Sequence, residues 1–215
     1  MKPRVTVVDY GVGNLYSVTR AFEHAGAEVL LTGDAAAVRS AERLVLPGVG
    51  AFRSCVEELH GRGLAGAVRE FARCGRPMLG ICVGMQMLFD ESDEFGVSPG
   101  LGLVPGRVTG IPDTGTDGAP HKIPHIGWNE LRAPAGAGDW NGTILQGLEP
   151  GEATVYFVHS FTAQPADAAH RLADSLYDGR RISAVVCSGN MYGCQFHPEK
   201  SGETGLAIVA NFIRL

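Results

Sequence analysis

The sequence contains no CxxC pair, no run of basic residues and no apolar stretch of membrane length. Each absence excludes a class of function. Without paired cysteines there is no disulfide framework of the small secreted kind and no thiolate set for structural zinc. The five cysteines (55, 74, 82, 187 and 194) therefore read as reduced thiols, and no metal is expected. A formal charge of -5 with no basic patch argues against nucleic acid or an anionic membrane as partner. The early apolar run Val5-Thr6-Val7-Val8 is too short for a signal peptide or a membrane span and suits a buried strand, so a soluble, cytoplasmic protein is expected. No Walker-type sequence is present. Gly11-Val12-Gly13 lacks the third glycine of a dinucleotide loop, because position 16 is Tyr, so no cofactor is expected.

What is present is ordinary globular material: 215 residues, 45% hydrophobic and 19% charged. No repeat or linker interrupts it, and one domain over residues 1–215 is expected. Through the first ninety residues short apolar strands alternate with helices. Val5–Asp9, Glu28–Leu31, Arg43–Leu46 and Pro77–Gly80 read as strands; Asn14–Ala25, an interrupted Phe52–Arg73 and Val83–Asp90 read as helices. Alternation of this kind predicts an α/β fold. It should be a three-layer open sheet, mostly parallel, with helices on both faces. The second half has more Gly and Pro and strand-like segments near 123–131, 153–158, 170–176, 182–187 and 191–196. Some should extend the sheet antiparallel or form a flap over it, before a last helix over Glu203–Ile213. Residues 133–139 read as an exposed, mobile loop.

Two segments carry chemistry. Gly80-Ile81-Cys82-Val83-Gly84 follows a strand and precedes a helix, the cysteine form of a nucleophile elbow. The helix would point free N–H groups and its positive end at the sulfur, favouring the thiolate. The pattern is weak alone, since a single cysteine is usually a small buried hydrophobe. The second segment, Gln195-Phe196-His197-Pro198-Glu199, changes the balance. Proline keeps His197 extended, and in an extended segment His197 and Glu199 share one side. Nucleophile, base and orienting acid are then all available in Cys82, His197 and Glu199. His24, His60 and His170 read as surface residues, and His121 and His125 flank Ile123-Pro124 in a loop or strand entry.

With both segments in view, the chain resembles the class I (triad-type) glutamine amidotransferases. Gly80-Ile81-Cys82-Val83-Gly84-Met85-Gln86 and Gln195-Phe196-His197-Pro198-Glu199-Lys200-Ser201 match that family's two signatures. Asp9–Leu15, Pro47–Phe52, Pro124–Asn129 and Tyr156–Phe161 narrow the resemblance to the glutaminase subunits of imidazole glycerol phosphate synthase, in histidine biosynthesis. The resemblance runs from Asp9 to Ser201. It implies that L-glutamine forms a thioester at Cys82 and releases ammonia to a separate barrel-type cyclase subunit in a heterodimer.

It further implies an oxyanion hole from the backbone of Val83 and of the Val49–Gly50 segment, whose glycines leave it free to reorient under the partner's control. Gln86, Glu94, His159 and Ser160 would contact the substrate. Asn14, Trp128 and Lys200 become candidates for the partner interface. Trp128 reads equally well as a core aromatic, and Lys200 as a solvated charge. Phe161 departs from the Tyr usual in this group, which would remove any hydroxyl contact there. Two alternatives stay open: the glutaminase of another ammonia-channelling synthase (anthranilate, GMP or pyridoxal-phosphate type), or a catalytically inactive binding module.

Overall fold

A computed structural model describes residues 2–136 and 139–215. The chain begins with β1 (Arg4–Val8), α1 (Leu15–His24), β2 (Glu28–Thr32), α2 (Ala35–Ser40) and β3 (Leu44–Gly48). Helices α3 (Phe52–Gly61) and α4 (Leu64–Arg73) lead to β4 (Met78–Cys82) and the single turn α5 (Val83–Gln86). Six strands follow: β5 (Phe89–Ser92), β6 (Ser98–Pro99), β7 (Val104–Gly110), β8 (His125–Glu130), β9 (Thr154–His159) and β10 (Phe161–Pro165). The chain ends with β11 (Arg171–Tyr177), β12 (Arg180–Ser188), β13 (Met191–Cys194) and α6 (Gly202–Arg214).

The central sheet has seven strands in the order β11-β12-β13-β4-β3-β1-β2. Strands β13, β4, β3, β1 and β2 run parallel, while β12 and β11 continue the edge antiparallel. The expected fold class is therefore the observed one. The connection through α1 steps outward from β1 to β2, and the one through α2 returns past β1 to β3. Right-handed crossovers made in opposite directions put their helices on opposite faces. Accordingly α1 packs on α6, with Phe22 edge-on to Phe212 at 5.9 Å, whereas α2 and α3 both pack on α4. Strands β3 and β4 are buried at every residue, as strands covered on both faces must be.

One expectation needs correction. The helix over Val83–Asp90 stops at Gln86. Met87, Leu88 and Phe89 are all fully buried, and three consecutive apolar residues suit a covered strand better than one stripe of a helix. Phe89 opens a second sheet, ordered β10-β7-β5-β6, which local patterning did not suggest. Strands β8 and β9 form a separate antiparallel hairpin, with His125 opposite His159. Ala137 and Gly138, inside the loop expected over 133–139, lie outside the described residues; Ala133, Ala135, Gly136 and Asp139 around them are exposed. Among the described residues no helix is long and apolar enough to cross a membrane.

Candidate active site

The carboxyl ends of β3 and β4 lie side by side, Gly48 opposite Cys82, next to the point where strand order reverses. Open parallel sheets bind ligands at such a place. Cys82 has φ 54°, a left-handed conformation that costs a non-glycine residue energy and marks a constrained turn. Two glycines permit it by close approach. A Cβ at Gly84 would fall 1.9 Å from the Leu46 carbonyl oxygen, and one at Gly80 would fall 2.7 Å from the Met85 Cα. Cys82 thus stands where an elbow should, but α5 is only four residues long, so the expected helix-dipole contribution is small.

His197 comes to the same point from the other side of β4. Strand β13 pairs parallel with β4, and the chain leaves it through Gln195 and Phe196. His197 itself is extended (φ -101°), but Pro198–Lys200 is a turn of 3-10 helix. Glu199 therefore reaches the imidazole by folding back, not by the strand alternation expected. Glu199 Oε1 lies 2.8 Å from His197 Nδ1, with both side chains almost fully buried. The other ring nitrogen is not engaged by Glu199, and His197 lines the same cleft as Cys82. Burial pulls the His197 pKa down, but the influence of nearby Cys82 and the bond to Glu199 outweigh it and raise it to about 9.

A cleft of about 310 Å³ opens over the sulfur. Its walls include Val49, Gly50, Val83, Gln86, Glu94 and Ser160, all residues expected here. His159 and Lys200 also line it. The Val49–Gly50 segment is held from behind at two carbonyls. The Tyr10 hydroxyl donates to Pro47 O at 2.6 Å, and the Cys55 thiol donates to Val49 O at 3.3 Å. Burial pushes the Cys55 thiol up to about 11, so it keeps the proton it donates. Glu94 Oε2 accepts from the Phe52 backbone N–H at 2.6 Å, tying the start of α3 to the cleft rim.

The family model for Glutamine amidotransferase class-I matches residues 6–215. Imidazole glycerol phosphate synthase subunit HisH 1 of Legionella pneumophila (strain Lens) is 53% identical, over 98% of this chain and 99% of its own. Subunit HisH of Geobacillus kaustophilus (strain HTA426) is 46% identical, over 97% of this chain and 95% of its own. The chain belongs to the HisH group of class-I glutamine amidotransferases. It is accordingly a glutamine amidotransferase, and neither the anthranilate-type alternative nor the inactive-module alternative is favoured by these likenesses. Among solved structures, PurLQS from Thermotoga maritima aligns with a TM-score of 0.74 at 23% identity, covering 100% of this chain and 99% of that one. At that identity the likeness speaks for the fold.

In this HisH-family chain the surroundings of several expected residues limit what each can contact. Gln86 is buried, and both hydrogens of its amide are used: Nε2 lies 3.2 Å from Phe161 O and 3.0 Å from Gln195 Oε1. Only its oxygen remains, which suits an ammonium and not a carboxylate. His159 lines the cleft, but both ring nitrogens are engaged, Nδ1 with Phe161 O at 2.8 Å and Nε2 with His125 Nδ1 at 3.0 Å. The Phe161 carbonyl thus organises the wall, and the lost tyrosine hydroxyl bears on none of these bonds. Trp128 is not a core aromatic; it is 58% exposed, and Ile126 beside it on the same hairpin face is 57% exposed. Lys200 is exposed, and Asn14 caps α1 by accepting from Ser17 N at 3.5 Å.

Sequence reasoning passed over Gln195, His125 and Tyr10. A signal existed for Gln195: in an extended segment it alternates with Phe196 and so shares the side of His197. His125 had the same kind of signal, alternating with the exposed Ile126. Tyr10 had none.

Proposed function

We propose that the chain is the glutaminase subunit of imidazole glycerol phosphate synthase, with Cys82 as nucleophile, His197 as general base and acid, and Glu199 as its orienter. One observation carries the assignment: the His197 imidazole, held by the Glu199 carboxylate at 2.8 Å, lines the same cleft as the Cys82 sulfur. The raised affinity of His197 for a proton fits a base that must take one from a thiol.

In this reading Cys82 Sγ attacks the side-chain amide carbon of glutamine while His197 takes the thiol proton. The resulting oxyanion is met by the backbone N–H groups of Val83 and Val49, beside Gly50. His197 returns the proton to the amide nitrogen, the C–N bond breaks and ammonia leaves, giving a glutamyl thioester. Water, deprotonated by His197, then adds to the thioester, and the C–S bond breaks to release glutamate and restore the thiol. Gln86 Oε1 and the Glu94 carboxylate are acceptors suited to the α-ammonium of glutamine, and Ser160 supplies a further polar contact.

The ammonia acceptor belongs to a second chain, a barrel-type cyclase. Ile126 and Trp128 supply an exposed apolar surface for it, and Lys200 and Asn14 are assigned to the same interface. The proposal includes one domain over 1–215, supported by one buried core cluster that draws on residues from Val5 to Ile213. A cytoplasmic setting is supported by five free cysteines. The test is reconstitution with a HisF-type cyclase and its nucleotide substrate. Cys82→Ala should abolish glutamine-dependent synthesis and leave synthesis from ammonium salts intact. Equal glutamine-dependent rates for Cys82→Ala and the wild type would exclude the assignment.

A further inference from the structure

Three buried amide groups form a chain whose direction is set at one end. The Phe161 carbonyl can only accept a hydrogen bond, so the group facing it must be the NH2 of Gln86, at 3.2 Å. The second hydrogen of that NH2 faces the Gln195 side chain, which must then present its oxygen, at 3.0 Å. With its oxygen so committed, Gln195 turns its own NH2 toward Cys82, placing Nε2 3.8 Å from Sγ. Reversing Gln195 would set two NH2 groups face to face. Gln86 is 3% exposed, Gln195 0% and Cys82 4%, so water has no room to relieve such a mismatch.

We propose that Gln195 is a further catalytic residue for glutamine hydrolysis, acting as a fixed N–H donor to the Cys82 sulfur. The donor matters when the sulfur carries charge. A hydrogen bond to an ionised group is about twice as strong as a neutral one, and at a closed site it requires no reorganisation of solvent. The thiolate forms when His197 takes the proton and again when the thioester breaks, and at both moments Gln195 faces the negative sulfur. His197 and Gln195 thus play complementary parts, the first moving the proton and the second steadying the charge left behind. The proposal rests on Cys82 being the nucleophile.

The test uses the full chain in complex with its cyclase. Gln195→Glu keeps the acceptor for Gln86 but turns a carboxylate oxygen to the sulfur. Gln195→Leu removes the donor without adding charge. The readout is the pH dependence of Cys82 alkylation by iodoacetamide, followed by mass spectrometry. For a lost charge-assisted hydrogen bond, the midpoint should rise by about one unit in Gln195→Leu, and further in Gln195→Glu. Glutaminase kcat should fall about tenfold or more, with KM for glutamine changed much less, and raising the pH should restore the alkylation rate. Synthesis from ammonium salts should be unchanged, which reports an intact complex.

Alkylation midpoints equal to the wild type in both variants would overturn the proposal, even if turnover fell, because a merely structural Gln195 would not move the thiol titration. Should neither variant fold, the wild type still decides. The assigned side-chain NH2 signal of Gln195 should shift across the Cys82 titration and on alkylation, and a signal that stays still overturns the proposal. Failure of the underlying assignment reads differently: Cys82→Ala would retain glutamine-dependent synthesis.

Discussion

His125 Nδ1 lies 3.0 Å from His159 Nε2, so one proton joins two buried imidazoles. The bond has a direction. His159 Nδ1 faces the Phe161 carbonyl at 2.8 Å and must donate to it, which leaves Nε2 bare to accept from His125. Both rings are therefore neutral, since His125 Nε2 faces the Asn129 side-chain NH2 at 3.4 Å and accepts from it. Burial pushes the pKa of His159 down to about 3 and that of His125 to about 4.

That pair predicts acid sensitivity. An unfolded histidine takes up its proton near pH 6.5, well above the pH at which either folded ring does. Stability from the pair is thus present above about 6.5 and is lost as pH falls through about 4 and then about 3. His125→Phe keeps a ring between Phe157 and Tyr177, whose centroids are 4.8 and 4.2 Å from the present imidazole. It should cost about 1–3 kcal/mol at pH 7 by leaving His159 Nε2 without a donor, and it should flatten the loss below pH 6.5. Urea unfolding at a series of pH values checks this; parallel slopes for variant and wild type would count against it.

Glu199 predicts the opposite pH behaviour. His197 is raised from 6.5 to about 9 when folded, burial being outweighed by nearby Cys82 and by the bond to Glu199. The stability it contributes is full below about 6.5 and disappears as pH rises through about 9. Glu199→Gln removes the carboxylate, so the His197 titration, followed by NMR, should move down and the alkaline loss should shrink. Activity should fall less than in His197→Ala, where removal of the general base costs about 10²–10⁴-fold in kcat. The amide oxygen of Gln can still orient Nδ1–H.

Tyr10 and Cys55 bear on the backbone at the cleft. Their bonds to Pro47 O and Val49 O, 2.6 and 3.3 Å, fix the peptides on either side of Gly48–Val49 and leave the peptide between them to turn alone. Tyr10→Phe should lower stability by about 1–3 kcal/mol, since Pro47 O is left buried and unpaired. With Val49 N–H as the proposed oxyanion donor, kcat in the cyclase complex should fall about tenfold while KM for glutamine holds. Cys55→Ser keeps a donor and should fare better than Cys55→Ala. Steady-state glutaminase assays on the three variants decide it; unchanged kcat in Tyr10→Phe and Cys55→Ala would remove the constraint.

What could be read beforehand was local. The elbow glycines, the covered strands β3 and β4 and the pairing of His197 with Glu199 are each written within a few residues. Contacts between distant segments were not legible: Gln86 meets Gln195 across 109 positions, and Tyr10 meets Pro47 across 37. The second sheet escaped notice because β5 pairs with β7 and β7 with β10, so its pattern exists only after folding. Glu199 reached its partner by a 3-10 turn where an extended segment was expected, since two routes of similar length join the same two side chains.

Trp128 gives the prediction about the partner. It stands on β8 with Ile126, 58% and 57% exposed, and its ring meets only Tyr156 edge-on, at 6.1 Å, among the described aromatic pairs. Large apolar side chains kept this exposed on one face of a hairpin mark an interface, and tryptophan is over-represented among the residues that carry binding energy. Trp128→Ala should therefore leave the fold intact, with a thermal midpoint near that of the wild type, because little of the ring is buried in the free chain. Binding to the cyclase should weaken by about 2 kcal/mol or more, roughly thirtyfold in Kd. Glutaminase stimulation should return at high cyclase concentration, because the catalytic cleft is untouched. Calorimetric titration measures the first effect and a saturation series the second. A Kd equal to the wild type would move the docking surface elsewhere, and stimulation lost even at saturation would make Trp128 part of the signal between the subunits instead of the grip.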